Sequence, residues 1–280
     1  MVARGRATVS NGNGHSNGHS DAQDEDLMAA LNVEDDEDEG GPSTPAAAKK
    51  GPKGKKEESR LIEIPKIRIE EITINIIGDT PLIHHKFSAK AKKEMLDKQM
   101  GKAKAKKEAK DPEKDFLESL YTMDGQLPEL YRKKDKVYAK GKFGFPALAF
   151  KAAAVDACRY ASGLTMTMAR GAMYVVVPDQ DGPDMLIPLT GKMDPVMRED
   201  VVRIGGMTKT TDLRYRGEFK EWSTAVKVRF NKNAISAEQI VNLFNLAGFH
   251  VGVGEWRMEK GGVNGNFQVH PDGMVLEDRR

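Results

Sequence analysis

The chain has 280 residues, 39% of them hydrophobic, which is enough apolar surface to bury a core. Its single cysteine, Cys158, excludes an internal disulfide framework and a cysteine-based zinc cluster, and predicts a reducing, cytoplasmic location. The longest apolar runs are only a few residues, which excludes a membrane-spanning helix of about 18 residues.

The net charge of +2 is unevenly distributed along the chain. Residues 1–60 carry 8 lysines and arginines against 12 carboxylates, a net charge of 8 − 12 = −4, so residues 61–280 carry +6. The first segment is also low in complexity and has too little apolar surface to offset chain entropy. We therefore expect a disordered tail over residues 1–60 and a single folded domain over residues 61–280.

The folded part begins with a predicted strand over residues 67–77, where branched residues alternate first on odd and then on even positions. The change of phase at Glu70 and Glu71 predicts a bulge or a break. His84 and His85 follow, and on an extended segment their side chains point to opposite faces, so they do not readily share a metal. We expect both to be surface or partner-contact residues.

A lysine-rich helical arm is predicted over residues 86–124 as an insertion in the domain. Ser88 caps its first helix, and Asp111 with Pro112 begins a second helix. A lysine-rich face is often only solvated, but the density of this one also fits contact with a phosphate backbone. The lysines expected to make that contact are Lys102, Lys104, Lys106 and Lys107.

The next predicted helix begins at Pro146 and has an apolar stripe of Leu148, Ala152 and Val155. Alternation of apolar and polar residues then predicts three strands, at residues 172–177, 185–189 and 222–230. Residues 191–221 contain few apolar residues and predict an irregular basic segment. Its candidate contacts for a nucleic acid are Arg214, Tyr215 and Arg216.

The last helix has start signals that agree with one another. Ser236 is a good N-cap and Gln239 completes a capping box, while Gly248 is expected to end the helix in the left-handed conformation. A glycine-rich loop and a short strand at residues 267–269 follow. Glycines permit φ > 0 or close approach by a ligand, and backbone N–H groups can hold a phosphate. A hairpin-like turn with solvated charges fits equally well. The candidate contacts are Gly252, Gly254, Trp256, Arg257, Lys260, Gly261, Gly262 and Gly265.

Without its insertions, this order of elements approximates an RRM-like or ferredoxin-like βαββαβ core, an α+β fold. The chain resembles the RAMP superfamily, the RRM-like backbone subunits of CRISPR effector complexes that bind guide RNA. The segment FPALAFKAA at residues 145–153 is similar to the family motif IPGSSLKGA, with Ala147 and Leu148 in place of Gly-Ser. The segment GVGEWRMEKGGVNGNFQV at residues 252–269 is similar to the family's C-terminal glycine-rich loop, without its basic-Ser-Arg-Gly core. The chain also resembles uncharacterised proteins of tailed phages and prophages.

These observations favour a non-catalytic protein that binds single-stranded RNA or DNA and assembles side by side on it. Phosphate contacts are expected from Lys151, Arg214, Arg216, Arg257 and Lys260, and base stacking from Tyr215 or Trp256. One alternative is a phage assembly protein that acts through protein contacts. Another is a metal-independent RAMP-type endonuclease that processes RNA, for which His250 is the candidate base. No cofactor and no metal is expected.

Overall fold

The computed structural model describes residues 64, 66–102, 109–177, 184–191, 194–204 and 210–277. The predicted tail at residues 1–60 and three of the candidate lysines, Lys104, Lys106 and Lys107, lie outside this part of the chain. The described residues form two sheets and five α-helices. None of these helices has the length and the apolar character needed to cross a membrane.

The first sheet has the strand order β11-β1-β10-β7-β5, and β6 also pairs with β10. Its strands are β1 (Ile69–Gly78), β5 (Gly144–Pro146), β6 (Met173–Val176), β7 (Leu186–Thr190), β10 (Ser223–Asn231) and β11 (Phe267–Glu277). The second sheet has the order β2-β9-β8-β4-β3. Its strands are β2 (Leu82–His84), β3 (Glu129–Lys133), β4 (Lys136–Lys140), β8 (Val196–Ile204) and β9 (Thr210–Phe219).

The helices are α1 (Ala89–Gln99), α2 (Pro112–Glu118), α3 (Ala147–Asp156), α4 (Met166–Ala172) and α5 (Ala237–His250), with 3₁₀ turns at Ala157–Tyr160 and Met258–Lys260. Six elements form the core, and their order along the chain, without the inserted elements, is β1-α3-β6-β10-α5-β11. Their strands are antiparallel and lie side by side in the order β11-β1-β10-β6. The predicted α+β fold with a ferredoxin-like βαββαβ core is therefore confirmed. The second sheet consists entirely of strands inserted into this core.

The core of the first sheet follows from residue alternation. On β1, Ile72, Ile74 and Ile76 are buried, and the same pattern on β10 buries Val226 and Val228. Strand β1 pairs with β10 in continuous register, but its register against β11 shifts between Ile74 and Ile76. The predicted irregularity therefore lies in the pairing with β11, later than the change of phase in the sequence.

Helix α5 has the predicted capping box between Ser236 and Gln239. The expectation that Gly248 ends this helix is wrong, because the helix continues to His250. A Cβ atom at Gly248 would lie 1.8 Å from the backbone oxygen of Phe267. Glycine is required there because the helix packs directly on the backbone of β11.

Helix α3 turns a different face to the core than the sequence predicted. Of the predicted stripe, only Val155 is buried, since Leu148 is 69% exposed and Ala152 is exposed. Phe150 and Ala153 are buried instead. Nearly every residue of this helix is apolar, so its sequence carries no periodic contrast from which to choose a face. The sheet beneath the helix decides which side is buried.

The prediction of an irregular segment at residues 191–221 is wrong, because this region forms β8 and β9. Strand β9 pairs with β2, and Tyr138 of β4 pairs with Val196 of β8. In the predicted arm, α1 buries none of its residues, and α2 buries Phe116.

Candidate functional site

The glycine-rich loop, residues 251–266, connects α5 to β11 and packs on the backbone of β2. The N–H of Glu255 donates to the carbonyl oxygen of Ile83 at 3.2 Å. A Cβ atom at Gly254 would lie 2.8 Å from that same oxygen. The absence of a side chain at Gly254 therefore lets the loop lie against β2.

Most backbone N–H groups of this loop already donate to oxygen atoms of the protein. The donors are Gly252, Val253, Glu255, Glu259, Lys260, Gly261, Gly262, Asn264, Gly265 and Asn266. These hydrogen bonds hold the loop in its own shape, so a phosphate would have to displace a protein acceptor to reach any of these donors. The loop is better suited to present side chains than backbone N–H groups to a ligand.

Two adjacent glycines of the loop are required for different reasons. Gly261 ends a 3₁₀ turn with φ = +76°, and a Cβ atom there would meet nothing within 4 Å. Gly262 does not have a left-handed backbone, but its Cβ atom would lie 1.8 Å from the oxygen of Trp256. The other predicted glycines also have positive φ: Gly252, Gly254 and Gly265. Their expected contact with a ligand stays a prediction.

Beside the loop, aromatic rings and arginines lie together at the end of α5. We call this group the aromatic–arginine cluster; it comprises Arg159, Tyr160, Phe249, His250 and Arg257. The rings of Tyr160 and His250 stack with centroids 4.1 Å apart and planes 13° apart, and Phe249 meets His250 edge-on at 4.9 Å. Tyr160 is 53% exposed and Phe249 is 69% exposed. The cluster therefore offers flat ring surface to solvent.

Two carboxylates hold the arginines of this cluster. Glu259 accepts from Arg257 at 2.8 Å and lies 3.9 Å from Arg159. Asp156 lies 3.9 Å from the other terminal nitrogen of Arg159. Desolvation raises the pKa of Asp156, and the negative charge of Glu259 raises it further against the opposing effect of Arg159. Glu259 therefore holds Arg257 in place, whereas Arg159 is attracted to both carboxylates at a longer distance.

A second group of charges joins the loop to the second sheet. Nδ1 of His85 lies 2.9 Å from Oε1 of Glu255, and Arg216 lies 3.6 Å from Oε2 of the same carboxylate. Arg216 is only 2% exposed and also lies 3.4 Å from Asp200, which pairs with Arg198 at 2.8 Å. We call these five residues the charge network. They link the loop to β9 and β8.

The pKa shifts in the charge network have clear physical causes. Desolvation raises the pKa of Glu255, but the hydrogen bond with His85 and the charges of His85 and Arg216 outweigh it and lower the pKa to about 2. Desolvation and the positive charge of Arg214 lower the pKa of Arg216 more than Glu255 and Asp200 raise it. For Arg198 the balance is reversed, because its bonds to Asp200 raise the pKa despite desolvation.

The expectation that His84 lies at the surface is wrong, because His84 is fully buried. Its Nδ1 accepts from the N–H of Tyr121 at 3.3 Å, and its ring packs against Phe145 and Phe219. Burial lowers the pKa of His84 to about 3. His85 points the other way, as the alternation predicted, and joins the charge network.

The structure brings together only some of the predicted contact residues. Trp256 is 41% exposed, and Lys260 is exposed on the loop, next to the cluster residue Arg257. Lys151 on α3 and Arg214 on β9 are half-buried. Lys102 is exposed and pairs with Asp97 at 2.8 Å.

Two predicted residues occupy positions that separate them from the loop surface. Arg216 is buried in the charge network. Tyr215 is adjacent to Arg216 on β9, so its side chain points to the opposite face of the second sheet. There Tyr215 packs against the core and forms a hydrogen bond with Glu199. This hydrogen bond and, to a smaller extent, desolvation raise the pKa of Tyr215. The candidate base, His250, is a member of the aromatic–arginine cluster.

The charge network escapes prediction from the sequence, because the composition of residues 191–221 predicts an irregular segment. The signal was present in β9, where Leu213, Tyr215, Gly217 and Phe219 alternate with charged residues at a period of two. Arg159 and Tyr160 were also missed. No local pattern distinguishes these two residues, because their partners come from α5 and the loop.

No group of three or more possible metal ligands occurs within the described ranges. No family model matches the chain, and no curated protein matches it. Among solved structures, the chain is similar to the crystal structure of Cmr6 from Pyrococcus furiosus, at 9% sequence identity and a TM-score of 0.34, over 73% of this chain and 100% of that chain. That TM-score is too low to carry an argument about function. The expected resemblance to the RAMP superfamily and to phage proteins therefore stays a prediction.

Proposed function

We propose that this chain binds single-stranded RNA or DNA without cleaving it, at the aromatic–arginine cluster and the exposed side chains of the glycine-rich loop. The observation that supports this most directly is the Tyr160–His250 stack, which is partly exposed and lies beside Arg159. Proteins that bind single strands combine aromatic rings, on which bases stack, with cations that follow the backbone. The cluster has both kinds of group on one surface.

The charge of this surface also suits a polyanion. The cations around Asp156 and Glu259 are Arg159, Arg257, the neighbouring Lys260, and Arg170 of α4, whose charge acts on Asp156, which gives 4 − 2 = +2 for this group of charges. Trp256 adds a further exposed ring on the same loop. Phosphates would therefore meet positive charge, and bases would find rings on which to stack.

The proposal keeps the predicted contacts of Trp256, Arg257, Lys260, Lys151 and Arg214. It gives Arg216 a different role, since a buried guanidinium that pairs with Glu255 positions the loop. It also includes assembly side by side along the strand, a cytoplasmic location and an origin in a phage or prophage.

The test is fluorescence anisotropy with labelled oligouridine and oligothymidine across a salt series. Changing Arg257 and Lys260 together to alanine should abolish most binding and flatten the salt slope by about 0.7 per lost phosphate contact. The melting temperature should fall only slightly, because Lys260 is exposed and the half-buried Arg257–Glu259 pair contributes on the order of 1 kcal/mol. Tyr160→Leu should weaken binding with little change in the salt slope, since it removes a ring and no charge.

The matched control is Lys66→Gln with Lys232→Gln, which removes two exposed cations near the start of α5. This control should keep its affinity. Equal affinity of the loop variant and the unchanged chain for both oligonucleotides would refute the proposal.

A second candidate function is protein docking, because Phe249, Met258 and Val263 expose apolar side chains around the loop. An interface of mostly apolar contacts would depend little on salt, whereas counterion release makes nucleic-acid affinity fall steeply. The salt series therefore separates the two functions.

A further inference from the structure

The second sheet has one face on the core and one face away from it. Directly opposite residues of an antiparallel pair share a face, so Tyr131, Tyr138 and Val196 lie on the same side. The neighbours Leu130, Val137 and Met197 point the other way and pack against the core. We call the first side the outer face of the second sheet.

The outer face has an excess of positive charge. Its cations are Lys133, Lys136, Lys140, Arg198, Arg214, Arg216 and Lys220, and its carboxylates are Glu129, Asp194, Asp200, Asp212 and Glu218, which gives 7 − 5 = +2. The carboxylates Asp200 and Glu218 are already held by Arg198 at 2.8 and 3.1 Å. The four lysines are exposed at the rim. The face therefore attracts an extended anion.

A shallow cavity of about 300 Å³ lies on this face, between the starts of β4 and β8 and the end of β9. Lys136, Arg198 and Lys220 contribute cations to its lining, and Glu218 contributes the only carboxylate among its lining residues. Because Glu218 is paired with Arg198, the amines of Lys136 and Lys220 are left to determine the charge that an incoming group meets. A phosphate group suits a cavity of this charge.

The far edge of the same face has a pair of stacked tyrosines. The rings of Tyr131 and Tyr138 lie with centroids 5.3 Å apart and planes 15° apart. The hydroxyl of Tyr131 donates to Asp194 at 3.0 Å, which fixes the ring, and the residue is 37% exposed. A base can stack on a ring that is held in this way.

We propose that the outer face of the second sheet binds a further stretch of the same single strand that the glycine-rich loop binds. This inference rests on the proposed function. The phosphates would lie at Lys136 and Lys220, and a base would stack on Tyr131. The charge network joins the loop to β9, and β9 is three strand spacings, about 14 Å, from β3. A strand of a few nucleotides spans that distance.

The proposal makes binding depend on oligonucleotide length. The experiment uses the full chain with labelled oligouridines of about 5 and about 15 nucleotides, a range of site sizes seen in single-strand-binding domains. Lys136→Gln with Lys220→Gln should weaken binding of the longer oligonucleotide and reduce its salt slope by about 1.4, for two lost phosphate contacts. Binding of the shorter oligonucleotide should change less than about twofold, because the loop alone accommodates it.

The tyrosine is tested by two variants that separate its ring from its hydroxyl. Tyr131→Leu should weaken binding of the longer oligonucleotide at least about fivefold, and Tyr131→Phe should keep the ring and most of the affinity. Lys66→Gln with Lys232→Gln again serves as the control, with no change at either length. Equal effects on both lengths, or none, would overturn the outer-face proposal while leaving the loop site intact. Failure of the unchanged chain to bind either oligonucleotide would overturn both proposals.

Discussion

Helices α3 and α5 pack on the first sheet, and the glycine-rich loop packs on the second sheet. The two sheets bury different kinds of side chain under these elements. In the first sheet, one face of β1 and β10 buries Ile74, Val226 and their apolar neighbours, while Glu71 is buried on the opposite face and pairs with Arg229. In the second sheet, the outer face has Arg216 and Asp200 buried in the charge network, next to the glycine-rich loop. Apolar burial is non-directional, whereas buried charges require specific partners. The first sheet therefore sets the fold, and the second fixes where the loop lies.

The glycine-rich loop can present side chains to a ligand even though most of its backbone N–H groups already donate within the protein. Its backbone hydrogen bonds and the Glu255–Arg216 pair hold it in one position. Its exposed side chains then project from a fixed base. A ligand that contacts Trp256 and Arg257 would meet groups that are already in place, which reduces the entropy lost on binding.

The largest expected effect comes from the backbone packing of the loop. Gly262→Ala places a Cβ atom 1.8 Å from the oxygen of Trp256, and we expect a loss of about 4 kcal/mol in the free energy of unfolding. At Gly261 a Cβ atom meets no other atom, and only the left-handed backbone is unfavourable for alanine. Gly261→Ala should therefore lower the free energy of unfolding by about 1 kcal/mol. Urea unfolding measures both. Equal losses would show that conformation, and not close approach, sets the requirement for glycine.

The next effect tests whether the second sheet depends on its buried charges. Arg216→Met removes one ion-pair partner from Asp200 and one from Glu255. We expect the free energy of unfolding to fall by about 3 kcal/mol. Arg132→Gln removes an arginine that is 74% exposed and should be nearly neutral, so it is the matched control. Thermal unfolding that fails to distinguish the two variants would remove the contrast between the sheets.

A smaller effect concerns pH. The pKa of His84 falls from 6.5 to about 3 on folding, so between these values the unfolded chain binds a proton that the folded chain does not. The free energy of unfolding should therefore fall as the pH falls below 6.5, by at most about 1.4 kcal/mol per pH unit. Denaturant unfolding at about pH 7 and about pH 5 measures this slope. His84→Leu should flatten the slope, and an unchanged slope would assign it to other groups.

The smallest effect belongs to α1, which buries none of its residues. Lys102→Gln breaks an exposed ion pair with Asp97, and exposed pairs contribute little. The melting temperature should not change measurably in a calorimetric scan. A clear decrease would mean that this helix is coupled to the sheets through contacts beyond that pair.

Much of the fold could be predicted from the sequence because it depends on local signals. The N-cap of α5, the start of α2 at Pro112 and the alternation of β10 are each encoded within a few residues. The order of these elements was enough to predict the ferredoxin-like core. Of the candidate site, the sequence indicated the loop and its side chains Trp256, Arg257 and Lys260.

Contacts between distant residues were decided only by the tertiary structure. His85 and Glu255 are 170 positions apart, and no local pattern indicates that they pair. The buried face of α3 is set by the sheet beneath it, because its own sequence is apolar on all sides. Arg216 has the sequence signature of an exposed cation on a half-buried strand. It becomes a buried residue only because the glycine-rich loop brings Glu255 against β9, where desolvation and ion pairing act together.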